Sequence, residues 1–274
     1  MKFGKVNQPE FIDFSMPKDH PDTKVVLTGT RSNEPLHIFV GCAKWNKQDL
    51  KNFYPKGTKD ELVYYSSQFN SIELNATFYR IFPAEQYQKW YDKTPDDFKF
   101  FPKITNEISH IRRLNDVVYP TIDRYLEVTS ILKEKLGTIF LQMHTNFGPK
   151  NWNRVVKFVE YWPKEFPLAM EFRHTDWYTN ETVAQELYYL LQENNIANIL
   201  VANHKSDADR LEDWVDKLCS WKEMGLKNIH FFIHQNLELK SPLLSATFIK
   251  SLNKKMGSNL SIPKTLLNND QTLF

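Results

Sequence analysis

Apolar residues along the chain occur in two spacings. Short runs rich in β-branched and aromatic residues, typical of buried strands, alternate with stretches whose apolar residues recur every three or four positions, as in helices. The runs lie at 38–44, 71–79, 98–104, 138–144, 167–174, 195–201 and 228–234. Their starts are about 30 residues apart, which leaves room for a strand, a helix and two loops. The pattern therefore predicts repeated strand–helix units around a parallel sheet.

Four of the intervening segments have a clear apolar helical face. They lie at 153–162, 180–194, 210–225 and 241–257. Gly225 is suited to end the third helix, and Ser241 followed by Pro242 is typical of a helix start with a serine cap.

Polar residues occupy one parity of several strands, close to the carboxyl ends. The residues are Glu73 and Asn75, Gln142 and His144, Glu171 and Arg173, and His234. In a closed barrel this parity points toward the mouth, whereas an open sheet under two layers of helices has no such polar stripe. No GxGxxG or phosphate-binding loop follows a strand, which disfavours a nucleotide-binding open sheet. The sequence therefore predicts a TIM-type barrel.

A series of motifs in fixed order resembles the YecE-like family, also called domain of unknown function 72. The motifs are "VGCAKW" (40–45), "NFYPKG" (52–57), "YYSSQFNSIELNATFYR" (64–80), "PDDFKFFPKITNEISH" (95–110), "LGTIFLQMHTNF" (136–147) and "MEFRHTDW" (170–177). The resemblance implies a TIM-type barrel but no established reaction. The polar residues in the matching motifs are Trp45, Glu73, Asn75, Tyr79, Lys103, His110, Gln142, Glu171, Arg173 and His174.

One strand of a complete barrel is missing from the pattern. Seven strands are predicted, whereas a complete barrel has eight. A strand with its loops is absent between Val201 and position 212, a segment on the order of 20 to 30 residues long. We expect that the natural chain carries this strand, because an unpaired edge would expose backbone donors within a parallel sheet.

The candidate site combines two carboxylates with two cations. Glu73, Glu171 and His174 are the predicted catalytic residues, since paired carboxylates can divide acid and base roles when their environments differ. The predicted substrate-binding residues are Trp45, Asn75, Tyr79, Lys103, His110, Gln142, Arg173 and Trp177. The alternative is that Lys103 and Arg173 only neutralise the glutamates as structural ion pairs.

The cations favour an anionic ligand, such as a phosphorylated sugar or a nucleic-acid backbone. The predicted function is acid/base or hydrolytic chemistry on such a ligand, and the competing class is a non-catalytic nucleic-acid or protein-binding module. The cofactor stays unknown. A divalent metal has enough histidine and carboxylate donors but no HxH or HExxH spacing, so we do not favour it.

Composition adds limits to this picture. The formal net charge of +2 gives no strong field toward nucleic acid or membranes, and Cys42 and Cys219 lack the spacing of a disulfide framework or zinc site. With no apolar leader or membrane-length run, we expect a soluble cytoplasmic protein without a membrane partner. The predicted organisation is an irregular extension (1–35), one barrel domain (36–260) and a tail (261–274). The oligomeric state is left open.

Overall fold

The strands and helices alternate along the chain as the sequence pattern predicts. The computed structural model describes residues 16, 18–29, 35–201, 207–235 and 238–266. The strands are β1 (His37–Cys42), β2 (Ser71–Leu74), β3 (Lys99–Pro102), β4 (Ile139–Gln142), β5 (Leu168–Glu171), β6 (Ala197–Asn198) and β7 (Asn228–Ile233). The helices are α1 (Thr23–Gly29), α2 (Glu61–Gln68), α3 (Ala76–Tyr79), α4 (Ala84–Asp92), α5 (Tyr119–Thr129), α6 (Trp152–Tyr161), α7 (Asp176–Thr179), α8 (Glu181–Glu193), α9 (Asp207–Met224) and α10 (Ser241–Met256).

The chain divides into two compact units. One combines Met1–Ile72 with Ala202–Phe274, and the other is Glu73–Val201. In the first unit β1 pairs with β7 in parallel along its whole length, with His37 opposite Asn228. Its core packs both strands against α9 and α10 through apolar residues such as Val40, Val215 and Phe248.

In the second unit the parallel strands lie side by side in chain order. β3 pairs with the end of β2, and two parallel bridges, one of them between Lys103 and Phe140, connect the β3 segment to β4. β4 pairs with β5, placing Gln142 opposite Glu171, and β5 pairs with β6. The core beneath them is formed by the apolar parity of the strands and the inner faces of α5, α6 and α8, and it includes Leu141, Met170 and Leu187.

The fold is thus mixed α/β with parallel strands, as predicted. Within the described ranges the hydrogen-bonded strands form separate groups of two or three rather than one continuous ring. No helix in the described part of the chain is long and apolar enough to cross a membrane. The division into one barrel domain and two flanking segments stays a prediction.

Some local predictions need correction. The run at 71–79 is a strand only to Leu74, because the chain turns at Asn75 into the short helix α3. Ser241 is the first residue of α10 rather than its cap, and its hydroxyl donates to Glu238 instead. The extension is not wholly irregular, since Thr23–Gly29 is helical. Most of that extension, the end of the tail and residues 202–206, where the missing strand was predicted, lie outside the described residues; α9 begins at Asp207.

A buried tyrosine connects β1 to the start of β2. The Cys42 backbone N–H donates to the Tyr65 hydroxyl at 2.8 Å, and this hydroxyl donates to the Ser71 carbonyl at 3.0 Å. The strands approach closely here, because a Cβ on Gly41 would lie 2.3 Å from the Ser71 carbonyl oxygen. The Tyr65 hydroxyl therefore satisfies two backbone groups that water does not reach.

We predict that Tyr65→Phe lowers the free energy of unfolding by about 1–3 kcal/mol, since it leaves a buried donor and acceptor without a partner. Urea unfolding measures this loss. Tyr64→Phe is the matched control: it removes the same atom from the neighbouring residue, for which the described residues offer no hydrogen-bond partner, and its effect should be near zero. Equal losses in the two variants would contradict this role of Tyr65.

Candidate functional site

The polar residues of the second unit gather where its parallel strands end. Leu74, Leu141 and Met170 are completely buried on the core side of β2, β4 and β5. Their neighbours Gln142 and Glu171 are only partly buried. The alternation read from the sequence is therefore confirmed in the structure, and it places the polar parity on one side of the sheet.

Three of these residues form a continuous series of hydrogen bonds across β3, β4 and β5. The Lys103 ammonium donates to Gln142 Oε1 at 3.0 Å, and Gln142 Nε2 donates to Glu171 Oε2 at 2.7 Å. The other carboxylate oxygen of Glu171 lies 3.6 Å from Arg173 Nε. The ion pair expected between a glutamate and a cation thus exists for Arg173, whereas Lys103 reaches Glu171 through the neutral amide of Gln142.

Lys103 is a buried cation with aromatic neighbours. The residue is 9% exposed, and its ammonium lies 4.9 Å from the ring centre of Phe78 and 5.3 Å from that of Phe140. Burial lowers the pKa of Lys103, and the negative charges of Glu73 and Glu171 partly oppose this effect. Aromatic faces stabilise an ammonium that has left water, so these rings help to keep Lys103 charged.

Glu73 and Asn75 are hydrogen-bonded to each other at the end of β2. Asn75 Nδ2 donates to Glu73 Oε1 at 2.7 Å, and the Asn75 backbone N–H donates to the Glu73 carbonyl at 3.0 Å. The Glu73 charge also acts on Lys103. Both predicted carboxylates therefore belong to the surroundings of the same buried ammonium.

His110 follows β3 on a single π-helical turn, Glu107–Ile111. Its Nδ1 lies 2.9 Å from the Ser109 hydroxyl, which itself lies 3.2 Å from the Thr105 carbonyl. If the serine proton goes to Thr105, His110 Nδ1 carries a proton and Nε2 is the acceptor. In the described structure Nε2 is buried and has no hydrogen-bond partner. The Nε2 lone pair of His110 therefore has no donor among the described residues.

The field around His110 is positive. Burial and, after it, the charges of His144, Lys103, Arg173 and Arg113 lower the pKa of His110 from 6.5 to about 4. His144 lies beside it, with ring centres 5.4 Å apart, and its pKa is lowered by burial, Arg113 and Arg173. Burial and neighbouring cations therefore both favour the neutral form of His110 and His144.

The remaining predicted residues are placed differently. Trp177 is fully buried, donates from its indole to the Phe147 carbonyl at 2.6 Å and stacks on the Phe147 ring. The sequence predicts that Trp177 contacts a ligand. The structure corrects this, because the indole is a buried packing residue against Phe147. Tyr79 is 74% exposed at the end of α3. Trp45 belongs to the first unit, where its carbonyl accepts from the Tyr54 hydroxyl.

His174 lies in the loop after β5, with its ring against Gly148. Within the described residues, no group of three or more histidines, cysteines or carboxylates is arranged to hold a metal ion.

The family of the chain follows from comparison with known proteins. The model of a family described as "Protein of unknown function DUF72" matches residues 39–210, more than half of the chain. The chain belongs to the DUF72 family. It is similar to the UPF0759 protein YecE of Escherichia coli, with 27% identity over 179 residues that cover 63% of this chain and 62% of YecE. The UPF0759 protein YunF of Bacillus subtilis is 26% identical over 197 residues, covering 69% and 62%.

This DUF72 chain thus spans about 62% of the length of these curated relatives. Solved DUF72 structures share its fold. One from Enterococcus faecalis aligns with a TM-score of 0.66 at 18% identity, covering 79% of this chain and 95% of that chain. Another from Thermotoga maritima aligns with a TM-score of 0.61 at 20% identity, covering 79% and 99%. The recognised resemblance is therefore confirmed, and the family name assigns no reaction.

Some residues near the site were not among those predicted. Arg113 is held by a hydrogen bond from its Nε to the His110 carbonyl, and its φ of 50° is left-handed. Tyr178 lies 3.5 Å from Asn198 at the end of β6 and is within the electrostatic reach of Glu171. The rule that polar residues follow strand ends would have found Asn198. The sequence indicates Arg113 only as part of the polar loop after β3, and tertiary contacts show that Arg113 and Tyr178 lie near these residues.

We predict that Lys103→Met raises the pKa of His110 above about 4, because it removes one of the cations that lower this pKa. Histidine NMR titration measures the change. Since the pKa of His110 is lower in the folded than in the unfolded state, its contribution to stability is complete above pH 6.5 and is lost as the pH falls through about 4. The variant should therefore lose less stability than the parent over this interval.

Lys133→Met is the control for this experiment. It removes an exposed lysine of the same unit that is not among the charges acting on His110. An unchanged His110 pKa in Lys103→Met would show that burial alone sets it, and would remove the argument for a positive field at this position.

Proposed function

We propose that this DUF72 protein binds an anionic ligand at the carboxyl ends of β2 to β5, and that Glu171 exchanges a proton with it. The observation that carries the proposal is the buried ammonium of Lys103, which donates to the neutral Gln142 rather than directly to a carboxylate. A buried cation whose hydrogen-bond partner is a neutral amide still has a positive field around it. A bound anion can neutralise that charge. Burial lowers the pKa values of His110 and His144, and the charges of nearby cations, among them Arg113 and Arg173, lower them further.

The ligand class follows from the donor types. Arg173 offers a planar fork for two oxygens of a phosphate, and Lys103 offers a compact charge. A phosphate group, as carried by a sugar phosphate or a nucleic-acid backbone, suits both. Asn75, Gln142 and the exposed ring of Tyr79 supply neutral contacts for the rest of such a ligand.

The proton-transfer role is assigned to Glu171 because one of its carboxylate oxygens accepts a hydrogen bond and the other faces a cation. Gln142 donates to Oε2, and Arg173 lies beside Oε1, so the group has a defined orientation. Glu73, oriented by Asn75, is the second carboxylate of the pair. Two carboxylates in unequal surroundings are suited to acid and base roles in one reaction. Acid/base or hydrolytic chemistry on a phosphorylated ligand is therefore the proposed reaction class.

The proposal extends to the architecture. We place the parallel strands in a TIM-type barrel, in which the carboxyl ends of the strands carry the active site. The chain order of the neighbouring strands, with two isolated bridges between the β3 segment and β4 and ladders from β4 to β6, supports this arrangement, as does the polar parity at their ends. Cytoplasmic localisation, with no membrane partner, is part of the same proposal.

We predict that inorganic phosphate binds to the protein and that Arg173→Gln weakens this binding by about tenfold, because a charge-assisted hydrogen bond is lost. Glu171→Gln should have the opposite effect and strengthen binding, since it removes a negative charge 3.6 Å from Arg173. Isothermal titration calorimetry at low ionic strength measures both changes.

Arg124→Gln is the matched control, since Arg124 is exposed on α5, and it should bind phosphate as the parent does. A parent protein that does not bind phosphate, or an Arg173→Gln variant with unchanged affinity, would refute the proposed site. Catalysis is tested separately by following sugar phosphates and nucleotides with phosphorus NMR. Phosphate binding without conversion of any of them would favour the alternative, a non-catalytic binding module.

A further inference from the structure

Two loops of the second unit share the pattern His-Thr-x-aromatic and form the same turn. "HTNF" (144–147) follows β4, and "HTDW" (174–177) follows β5. In the first, the backbone N–H of Asn146 donates to His144 Nδ1 at 3.1 Å; in the second, that of Asp176 donates to His174 Nδ1 at 3.3 Å. Each turn is closed by a backbone hydrogen bond from its aromatic residue to the carbonyl of its histidine, at 2.9 Å and 3.2 Å.

The turn decides which ring nitrogen of each histidine carries a proton. A nitrogen that accepts from a backbone N–H has no proton of its own, so the neutral ring carries its proton on Nε2. Arg113 and Arg173 lower the pKa of His144 after burial, which favours this neutral form. The Asp176 carboxylate lies 3.7 Å from His174 Nδ1, too far for a hydrogen bond. Both loops therefore present Nε2–H as the donor.

The two turns are held against each other. The paired strands bring Gln142 opposite Glu171, two and three residues before the respective histidines. Below the turns, Trp177 donates to the Phe147 carbonyl and stacks on its ring. The His174 ring lies so close to Gly148 that a Cβ there would be 3.3 Å from three ring atoms. The relative position of the imidazoles is thus set by packing rather than by loose loops.

A purely structural role explains less of this arrangement. The same turn occurs at His20, where the Asp22 N–H donates to Nδ1 at 3.3 Å on an exposed segment. The turn by itself is therefore not a site, and asparagine would close it equally well. His144 and His174 differ from His20 because they follow neighbouring strands that carry Gln142 and Glu171. In addition, the buried Nε2 of His110, which has no partner among the described residues, lies on the ring next to His144.

We infer that His144 and His174 are paired oxyanion donors, whose Nε2–H groups bind oxygens of the ligand's phosphate group. This inference rests on the proposed function and deepens it, because it names the groups that contact the phosphate in addition to Lys103 and Arg173. It also assigns His174 a binding role in place of the catalytic role expected from the sequence. His110 Nε2, as an acceptor, suits a protonated oxygen or hydroxyl of the same ligand.

The test separates the two nitrogens of each ring. His144→Asn and His174→Asn keep a side-chain oxygen that can accept from the backbone N–H of the turn, but they lack the Nε2–H donor. We expect each variant to bind inorganic phosphate about tenfold more weakly than the parent in calorimetric titration. His20→Asn, the same substitution in the same turn of the first unit, should leave the affinity unchanged.

The possible outcomes distinguish failure of this inference from failure of the proposed function. If the parent does not bind phosphate, the proposed function fails and this inference fails with it. If the parent binds and Arg173→Gln weakens binding, but His144→Asn and His174→Asn bind as the parent does, only the inference fails. If a variant does not fold, its titration is replaced by nitrogen NMR of the parent protein with and without phosphate. Phosphate should then shift Nε2 of His144 and His174, and a proton on Nδ1 of either ring would overturn the assignment.

Discussion

The polar centre of the second unit depends on one constraint: the Lys103 ammonium is buried at the end of β3 and must be solvated by the protein. A buried charge without partners costs far more than a single hydrogen bond returns. Gln142 supplies the hydrogen bond, and the faces of Phe78 and Phe140 supply further stabilisation. Because the direct partner is neutral, the positive charge still acts on its surroundings, including His110.

The burial of Lys103 also determines how the Gln142 side chain is oriented. Its amide oxygen is occupied by Lys103, so its Nε2 must point toward Glu171, which it orients from the opposite side to Arg173. One amide thus couples a cation on one strand to a carboxylate two strands away. A direct lysine–glutamate pair would neutralise both charges, whereas the amide of Gln142 keeps the two charges apart.

Strands and loops position different polar residues of this unit. The strands carry Gln142 and Glu171 on rigid backbone whose opposite parity, including Leu141 and Met170, is fully buried. The histidines lie just beyond, in turns that are themselves packed by Phe147 and Trp177. Packing of this kind restricts the conformational freedom of the histidine side chains. Burial of Trp177 therefore helps to fix the conformation of both turns.

The sequence by itself determined the positions of the strands, the parity on which polar residues occur and membership of the DUF72 family, because the strand period and the motifs are local properties of the chain. It also placed Glu73, Lys103, Glu171 and Arg173 in one set. Only the tertiary structure decided that Gln142 lies between Lys103 and Glu171, that Trp177 is a core residue, and that Arg113 reaches the surroundings of His110. These contacts depend on strand register and loop conformation, which join residues far apart in sequence and leave no periodic signal in it.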